Sequence, residues 1–239
     1  MKIKIPEEYR QNVEYYDQYG MEQDERMAVA ATSFVNKVYC IMCVALFVTA
    51  GTAWWTVESL DTATIAGWMV PAMIAELVVV LLLNFLAHKL PLAVSAIAMF
   101  AYAALNGFTL SVIFFVYTKA SLAGAFAVTG GIFGAMSLYG TVTKRDLTSL
   151  GSICIMALFG LILAGLVNLF LQSDAMYFVT SIIGVLVFTG LIAYDSQQIR
   201  RFGAADGGHG SLAVLAALGL YLDFINLFLY LVRLIGKRK

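Results

Sequence analysis

The sequence predicts an all-α membrane protein with seven transmembrane helices. Hydrophobic residues make up 61% of the chain and charged residues only 13%, which does not suit a soluble globular domain. The mean hydropathy of +0.85 agrees with this class and argues against a nucleic-acid binder. Seven apolar runs, each long enough to cross a bilayer at about 20 residues, follow one another between short hinges. They cover residues 34–57, 64–87, 90–117, 122–142, 147–171, 176–199 and 212–235.

The chain divides into a polar, acidic N-terminal arm, residues 1–33, and a seven-helix transmembrane domain, residues 34–239. The arm holds nearly half of all the acidic residues although the net charge of the whole chain is zero. We therefore expect the arm to be solvated. These acids are Glu7, Glu8, Glu14, Asp17, Glu22, Asp24 and Glu25.

Basic residues in short loops favour the cytoplasm, and they predict that the N-terminal arm lies inside. Bases follow the second, fourth and sixth runs, whereas the opposite loops contain few. The basic tail, Lys237 to Lys239, departs from this pattern. It would lie outside if the last helix spans the membrane fully, and inside if that helix is re-entrant, and loop charges do not decide between the two.

Small residues inside the apolar runs are expected to serve packing. The fourth run contains GAFAVTGGIFGAMSLYG, and glycines at this density let helix backbones approach closely in lipid. Cys40, Cys43 and Cys154 lie within apolar runs, without the polar surroundings that make a thiol reactive. We expect the cysteines to be packing residues as well.

Three carboxylates lie well inside apolar runs: Glu76, Asp195 and Asp223. An ionised side chain at the bilayer centre costs about 3 kcal/mol on insertion scales, so such residues usually face the bundle and mark an ion or proton path. Glu76 is a candidate pathway or gate residue. His88 and Lys89, at the end of the same run, are grouped with it as pathway or latch candidates, although both also suit ordinary interfacial bases.

Asp223 is the strongest of these candidates because no base lies near it in the sequence. Its neighbours in LYLDFINLF are apolar except Tyr221 and Asn226, which are candidate hydrogen-bond partners. Asp195 has two interpretations. It belongs either to a carboxylate pair with Asp223 or to a helix-end ion pair with Arg200 or Arg201, and Arg200 is also a candidate hydrogen-bond partner.

The last two helices run antiparallel through a short link, so Asp195 and Asp223 can approach each other. At about 1.5 Å per residue Asp195 lies roughly 10 Å from the end of its helix and Asp223 roughly 18 Å from Ser211, so tilt or helix extension must absorb the difference. Two like charges at close range in a low dielectric cannot both ionise, and the pair is expected to share one proton. The ionised pair would suit a hard cation such as Ca²⁺.

These residues resemble the Bax-inhibitor family, in its bacterial branch. The resemblance rests on AYDSQQI around Asp195 and LYLDFINLFLYLVRL around Asp223, and extends through AELVVVLL, TKRDLTSLGS and LVNLF. It implies six helices around a central seventh, and a pH-sensitive calcium leak controlled by the two aspartates. Family members place an arginine about three turns after the position of Glu76. Here Ala87 occupies that position, followed by His88 and Lys89, so we expect a different pH midpoint.

The sequence therefore predicts a pH-sensitive calcium leak channel or transporter in the inner membrane, gated by a proton-sharing aspartate pair. The alternative is a membrane interaction or stress-response regulator without intrinsic transport. An enzyme is not expected, because HExxH, GxSxG and P-loop motifs are absent and neither aspartate lies in a GxGD setting. We expect no cofactor. The predicted partners are Ca²⁺, protons and the bilayer, with no nucleic acid. The sequence does not identify protein partners.

Overall fold

The computed structural model describes the backbone of residues 7–86, 89–206 and 210–239, which is almost entirely helical. Seven segments of this part of the chain are long and apolar enough to cross a membrane, as the sequence predicts. The helices are α1 (Glu7–Ser59), α2 (Thr62–Leu86), α3 (Leu92–Leu110), α4 (Ile113–Val116), α5 (Lys119–Val142), α6 (Thr148–Leu171), α7 (Asp174–Asp206) and α8 (Gly210–Ile235).

The third predicted run is divided into α3 and the one-turn helix α4. Ser111 lies between them, buried, and its hydroxyl donates a 2.6 Å hydrogen bond to the carbonyl oxygen of Phe108. Its backbone N–H points to the carbonyl oxygens of both Gly107 and Phe108. A serine that bonds back to the preceding turn competes with the regular helix ladder, which accounts for the break at this position.

The first helix is longer than its apolar run. It begins at Glu7, whereas the segment apolar enough to span a membrane begins at Glu25, and both end at Ser59. The acidic arm therefore joins the first membrane helix without an intervening loop over the residues that the structure describes.

Helix α8 is the most buried of the seven spans. Inside its most apolar window 61% of the residues are buried, compared with 11–39% in the other spans. It packs against α1, α3, α5 and α7. Such burial is what a helix with neighbours on several sides requires, and the arrangement of six helices around it stays a prediction.

The glycines of α5 serve close packing at one end of the helix only. At Gly140 an added Cβ would collide with the carbonyl oxygen of Ala193, so α5 and α7 approach each other here because no side chain intervenes. By contrast, nothing lies within 4 Å of a Cβ added at the other four glycines of the run. The packing interpretation is thus right for Gly140 and wrong for Gly124, Gly130, Gly131 and Gly134, which face outward.

The basic tail after α8 is bound to the loop between α4 and α5. Arg238 forms an isolated antiparallel bridge with Tyr117, and the backbone N–H of Lys239 donates a 2.9 Å hydrogen bond to the carbonyl oxygen of Val116. Helix α8 is continuous over its 26 residues, about 39 Å at 1.5 Å per residue, so the tail lies at the end of the bundle opposite the α7–α8 link. This favours the full span over the re-entrant alternative.

Candidate functional site: a buried aspartate pair between α7 and α8

The two aspartates come from facing helices and meet inside the bundle. Asp223 on α8 is only 6% exposed, and its carboxyl group lies within hydrogen-bonding reach of the carboxyl group of Asp195 on α7. Gly219, one turn before Asp223, also faces Asp195, since a Cβ built there would lie in ordinary van der Waals contact, 3.4 Å from Oδ2 of Asp195. The structure thus brings together the two acids that the sequence predicts to pair.

The extension of α7 explains how the acids reach the same level. The helix continues to Asp206, beyond the predicted end at residue 199. Asp195 therefore lies about 17 Å from the end of α7, and Asp223 about 20 Å from the start of α8 at Gly210. Of the two ways to absorb the predicted mismatch, helix extension is the one observed.

The arginines that follow Asp195 hold a neighbouring segment of the chain. The Arg200 guanidinium donates to the carbonyl oxygen of Thr141, and Arg201 forms a 2.9 Å ion pair with Asp146. The two guanidinium groups thus bind at the α5–α6 connection. The predicted helix-end ion pair and the predicted role of Arg200 as a partner of the acids are replaced by these contacts.

The two predicted partners on α8 also bond elsewhere. The Tyr221 hydroxyl hydrogen-bonds Thr49 at 2.7 Å and donates to Oδ1 of Asn106 at 3.1 Å. Asn226 donates from Nδ2 to the carbonyl oxygen of Leu222 at 2.8 Å, the residue one turn before it on the same helix. Tyr221 and Asp223 are two residues apart, which on a helix directs their side chains to different neighbours.

The facing carboxyl groups can bind two, one or no protons, and the fully ionised form is the costly one. Oδ2 of Asp223 is buried and has no hydrogen-bond partner among the described residues. An uncompensated buried charge at this position is unfavourable, whereas one shared proton leaves a single charge and a charge-assisted hydrogen bond. The geometry therefore suits a pair that is sensitive to protonation.

The polar residues beside Asp195 fix the position of α7. Ser196 hydrogen-bonds the Tyr39 hydroxyl of α1 at 3.0 Å. Gln197 is 2% exposed, and its amide accepts from the backbone N–H of Leu147 and donates to the carbonyl oxygen of Arg145. The α5–α6 connection is thus attached to α7 within two residues of Asp195.

Glu76 faces the bundle, where a chain of polar side chains links it to α8. The Thr109 hydroxyl donates to Oε1 of Glu76 at 3.1 Å, and the Asn106 side chain hydrogen-bonds the same carboxyl group. Since Asn106 also accepts from Tyr221, the network joins α2, α3 and α8, and Thr49 extends it to α1. We refer to Glu76, Thr109, Asn106, Tyr221 and Thr49 as the Glu76 network.

The remaining latch candidates lie at the end of α2. Lys89 is exposed. His88 and Ala87 lie outside the described residues.

Sequence reasoning missed several members of this site. Ser196 and Gln197 could have been found from their position next to Asp195, since three consecutive polar residues are unusual in an apolar helix. Asn106 and Thr109 carried a weaker signal, because a polar residue in a membrane helix often bonds to its own backbone. Their contact with Glu76 depends on how α2 packs against α3, which periodicity does not specify.

The site offers few anionic ligands for a metal ion. Among the residues searched, no group of three or more His, Cys, Asp or Glu side chains lies close enough together to hold a metal. Ca²⁺ prefers six to eight oxygen ligands. Two carboxylates would therefore have to be supplemented by backbone carbonyls or water to complete such a shell.

Comparison with known proteins places this fold among described membrane proteins. The family model described as "Inhibitor of apoptosis-promoting Bax1" matches residues 31–239. "Inner membrane protein YbhL" of Escherichia coli K12 is 43% identical over 216 residues, covering 87% of this chain and 92% of the relative. An uncharacterized protein of Rickettsia prowazekii, RP147, is 42% identical over 212 residues, covering 86% and 90%. One from Deinococcus radiodurans is 40% identical over 231 residues, covering 95% and 99%.

Proposed function

Because this chain belongs to the Bax-inhibitor family, we propose that it is a pH-sensitive calcium leak channel or transporter of the inner membrane, gated by Asp195 and Asp223. The observation that carries the proposal is the meeting of two carboxyl groups from successive membrane helices, one of them 6% exposed. Intramembrane acids are costly and usually mark an ion or proton path. The inner-membrane location rests on the seven spans and on the name of the E. coli relative, an inner membrane protein.

The gate works through the charge of the pair. With one proton shared, a charge-assisted hydrogen bond ties α8 to α7 and the closed position tolerates burial. Loss of that proton puts two negative charges at hydrogen-bonding distance, which repel each other and attract a divalent cation. Gain of a second proton removes the charge from the bond. Either change biases α8 between two positions, and the pair thereby converts pH into opening or closing.

The Glu76 network gives α8 a second attachment on a different side. Asp223 faces α7, whereas Tyr221 reaches Asn106 of α3 and, through it, Glu76 of α2. Movement of α8 that separates the aspartates would also strain or break the Tyr221 hydrogen bonds. Glu76 thus contributes to the stability of the closed position.

Calcium flux into proteoliposomes that contain only this protein tests the proposal. A lumenal calcium dye reports flux over a range of pH. We expect flux that varies with pH in the wild-type protein, and a flattened pH profile in Asp195→Asn and in Asp223→Asn. The double variant should add little to either single one, because the two residues act as a unit.

Asp61→Asn is the matched control for this experiment. Asp61 lies outside the spans and accepts hydrogen bonds from the backbone N–H and the hydroxyl of Thr64 at the start of α2. Asparagine also caps helices, so the fold is retained while one carboxylate is removed. A wild-type pH profile in both single aspartate variants would refute the paired mechanism. Absence of flux at every pH would favour the regulator without intrinsic transport.

A further inference from the structure

A second site lies at the end of the bundle that carries the basic tail. It is an apolar cavity of about 410 Å³, within the range of small-molecule pockets, walled by α1, the α3–α4 segment, α5 and α8. Three phenylalanines line it: Phe126 makes edge-to-face contacts with Phe224 and Phe228, with ring centroids 5.5 and 6.2 Å apart. Thr49 and Lys119 are the polar side chains that line it.

The cavity is elongated along the helix axes and reaches the membrane boundary. On α1 its lining extends from Leu46 to Trp54, about 12 Å at 1.5 Å per residue, and on α5 from Lys119 to Phe126, about 10 Å. Lys119 is the first residue of α5 and Trp54 lies near the end of α1. The cavity therefore begins at the depth of lipid head groups and runs inward parallel to the acyl chains.

The side of the cavity is accessible from the lipid region. Trp54 and Phe126, from opposite walls, are each 52% exposed, and the small residues Ala50 and Ala123 between them are also exposed. A linear apolar group could therefore enter sideways from the bilayer.

The rim of the cavity is positively charged. The ammonium group of Lys119 lies 4.7 Å from the centroid of the Trp54 ring. The ammonium group of Lys239 donates a 2.7 Å hydrogen bond to the carbonyl oxygen of Phe114, a residue that lines the cavity. Two cations from separate segments thus flank one apolar opening, an arrangement complementary to an amphiphile with an anionic head group and an apolar tail.

We propose that this cavity binds one acyl chain of an anionic phospholipid, whose head group is held by Lys119 and Lys239. Phe224 and Phe228, which line the cavity, place the chain against α8, the helix that also carries Asp223. The site is separate from the aspartate pair, and its occupancy can be measured without any assumption about transport.

Quenching of Trp54 fluorescence by brominated lipids tests this binding. The chain has three tryptophans, so a Trp55→Phe, Trp68→Phe background leaves Trp54 as the reporter at the cavity. In mixed bilayers, brominated phosphatidylglycerol should quench Trp54 at a lower mole fraction than brominated phosphatidylcholine. We expect a preference of about fivefold for each lysine that holds the head group.

Two pairs of variants separate the site from general lipid contact. Ala123→Leu fills the cavity and should weaken quenching by the anionic lipid, whereas Ala127→Leu, one turn further on the same helix and also exposed, should not. Lys119→Gln should reduce the head-group preference about fivefold, whereas Lys144→Gln at the opposite end should leave it unchanged. Each variant is first checked for a monodisperse elution profile in detergent.

Three outcomes would overturn the proposal. Equal quenching by the two brominated phospholipids would show that the rim does not select an anionic head group. An unaltered titration in Ala123→Leu would show that the chain does not enter the cavity. Saturable quenching by a brominated fatty acid, without the phospholipid preference, would assign the site to free fatty acids instead.

Discussion

The surroundings of a carboxyl group decide how its protonation responds to pH, and in this protein they differ between the surface and the interior of the bundle. Asp146 lies in the α5–α6 connection, where its side chain is 66% exposed. Hydrogen bonds from the Thr148 hydroxyl and backbone, followed by the bond from Arg201, lower its pKa from the ordinary value of 3.8 to about 2. Asp146 is consequently ionised at neutral and mildly acidic pH, unlike a carboxyl group that must share a proton with a neighbour.

We therefore predict that Asp146→Asn leaves the pH midpoint of calcium flux unchanged. A lowered pKa means that Asp146 stabilises the fold at pH values above its ordinary pKa of 3.8, and that this contribution is lost only as the pH falls toward about 2. Its charge is constant at neutral and mildly acidic pH, so the substitution removes no group that changes its protonation there. Flux measured in proteoliposomes across that range checks this, and a displaced midpoint would implicate the α5–α6 connection in pH sensing.

Glu76→Gln is predicted to change calcium flux while the protein still folds. The amide oxygen of glutamine can accept the hydrogen bond that Thr109 now donates to Oε1, so the contact between α2 and α3 is retained while the charge is removed. Expression and thermal unfolding in detergent should stay close to wild type, and flux should differ at one or more pH values. Flux identical to wild type at every pH would remove Glu76 from the mechanism. Glu58→Gln, near the end of α1, serves as the control.

The candidate site could be predicted only in part because its members carry signals of different strength. Asp195 and Asp223 are identifiable since an acid within an apolar run is costly to bury and therefore rare. Tyr221 is identifiable as polar, but its actual partners, Thr49 and Asn106, lie on α1 and α3. Which polar side chains meet depends on helix rotation and packing, and these are properties of the assembled bundle.

At the scale of the helices, hydrophobicity predicts the spans well and their ends poorly. Helix α7 continues past residue 199 to Asp206, because a helix can carry arginine and other polar residues beyond the membrane. The break at Ser111 is not visible in the apolar pattern, since it coincides with the local hydrogen bond of a single buried serine. The length and apolarity of a span are set by the thickness of the bilayer. The breaks and extensions of its helix are set by local hydrogen bonds.

The contact between α5 and α7 gives a prediction at this scale. Gly140→Ala should destabilise the protein by about 1–3 kcal/mol, because the new methyl group would collide with the Ala193 carbonyl and push α5 away from the helix that carries Asp195. Gly134→Ala on the same helix meets nothing within 4 Å and should be neutral or stabilising by at most about 1 kcal/mol. Thermal unfolding in detergent compares the two. Equal stability of both variants would contradict the close approach.

Across the whole molecule, α8 is held at two levels inside the bundle and at its end. Asp223 faces α7, Tyr221 belongs to the Glu76 network, and the tail beyond Ile235 pairs with the loop after α4. Arg233 adds contacts near that end, with its guanidinium 5.2 Å from the ring centroids of Tyr177 and Tyr230. A movement of α8 would therefore be opposed on several sides.

The arrangement of the two ends leads to the last prediction, which concerns topology. The tail and Lys144 lie at opposite ends of α5: the tail binds the loop that precedes Lys119, and Lys144 follows Val142, about 36 Å along the helix. Bases at Lys144, Arg145, Arg200 and Arg201 favour a cytoplasmic location for that end. The tail is then outside despite its own positive charge, because its backbone is paired with the outer loop and α8 spans the membrane fully.

Cysteine labelling in intact cells tests this topology. Cys40→Ala, Cys43→Ala and Cys154→Ala together remove the native thiols, and Lys239→Cys or Lys144→Cys is then added singly. A membrane-impermeant maleimide should label Lys239→Cys from outside, and Lys144→Cys only after the cells are permeabilised. If both positions react only after permeabilisation, the tail is cytoplasmic. The pairing of the tail with the α4–α5 loop would then be incompatible with a full span of α8, since the loop and the tail must share one side of the membrane.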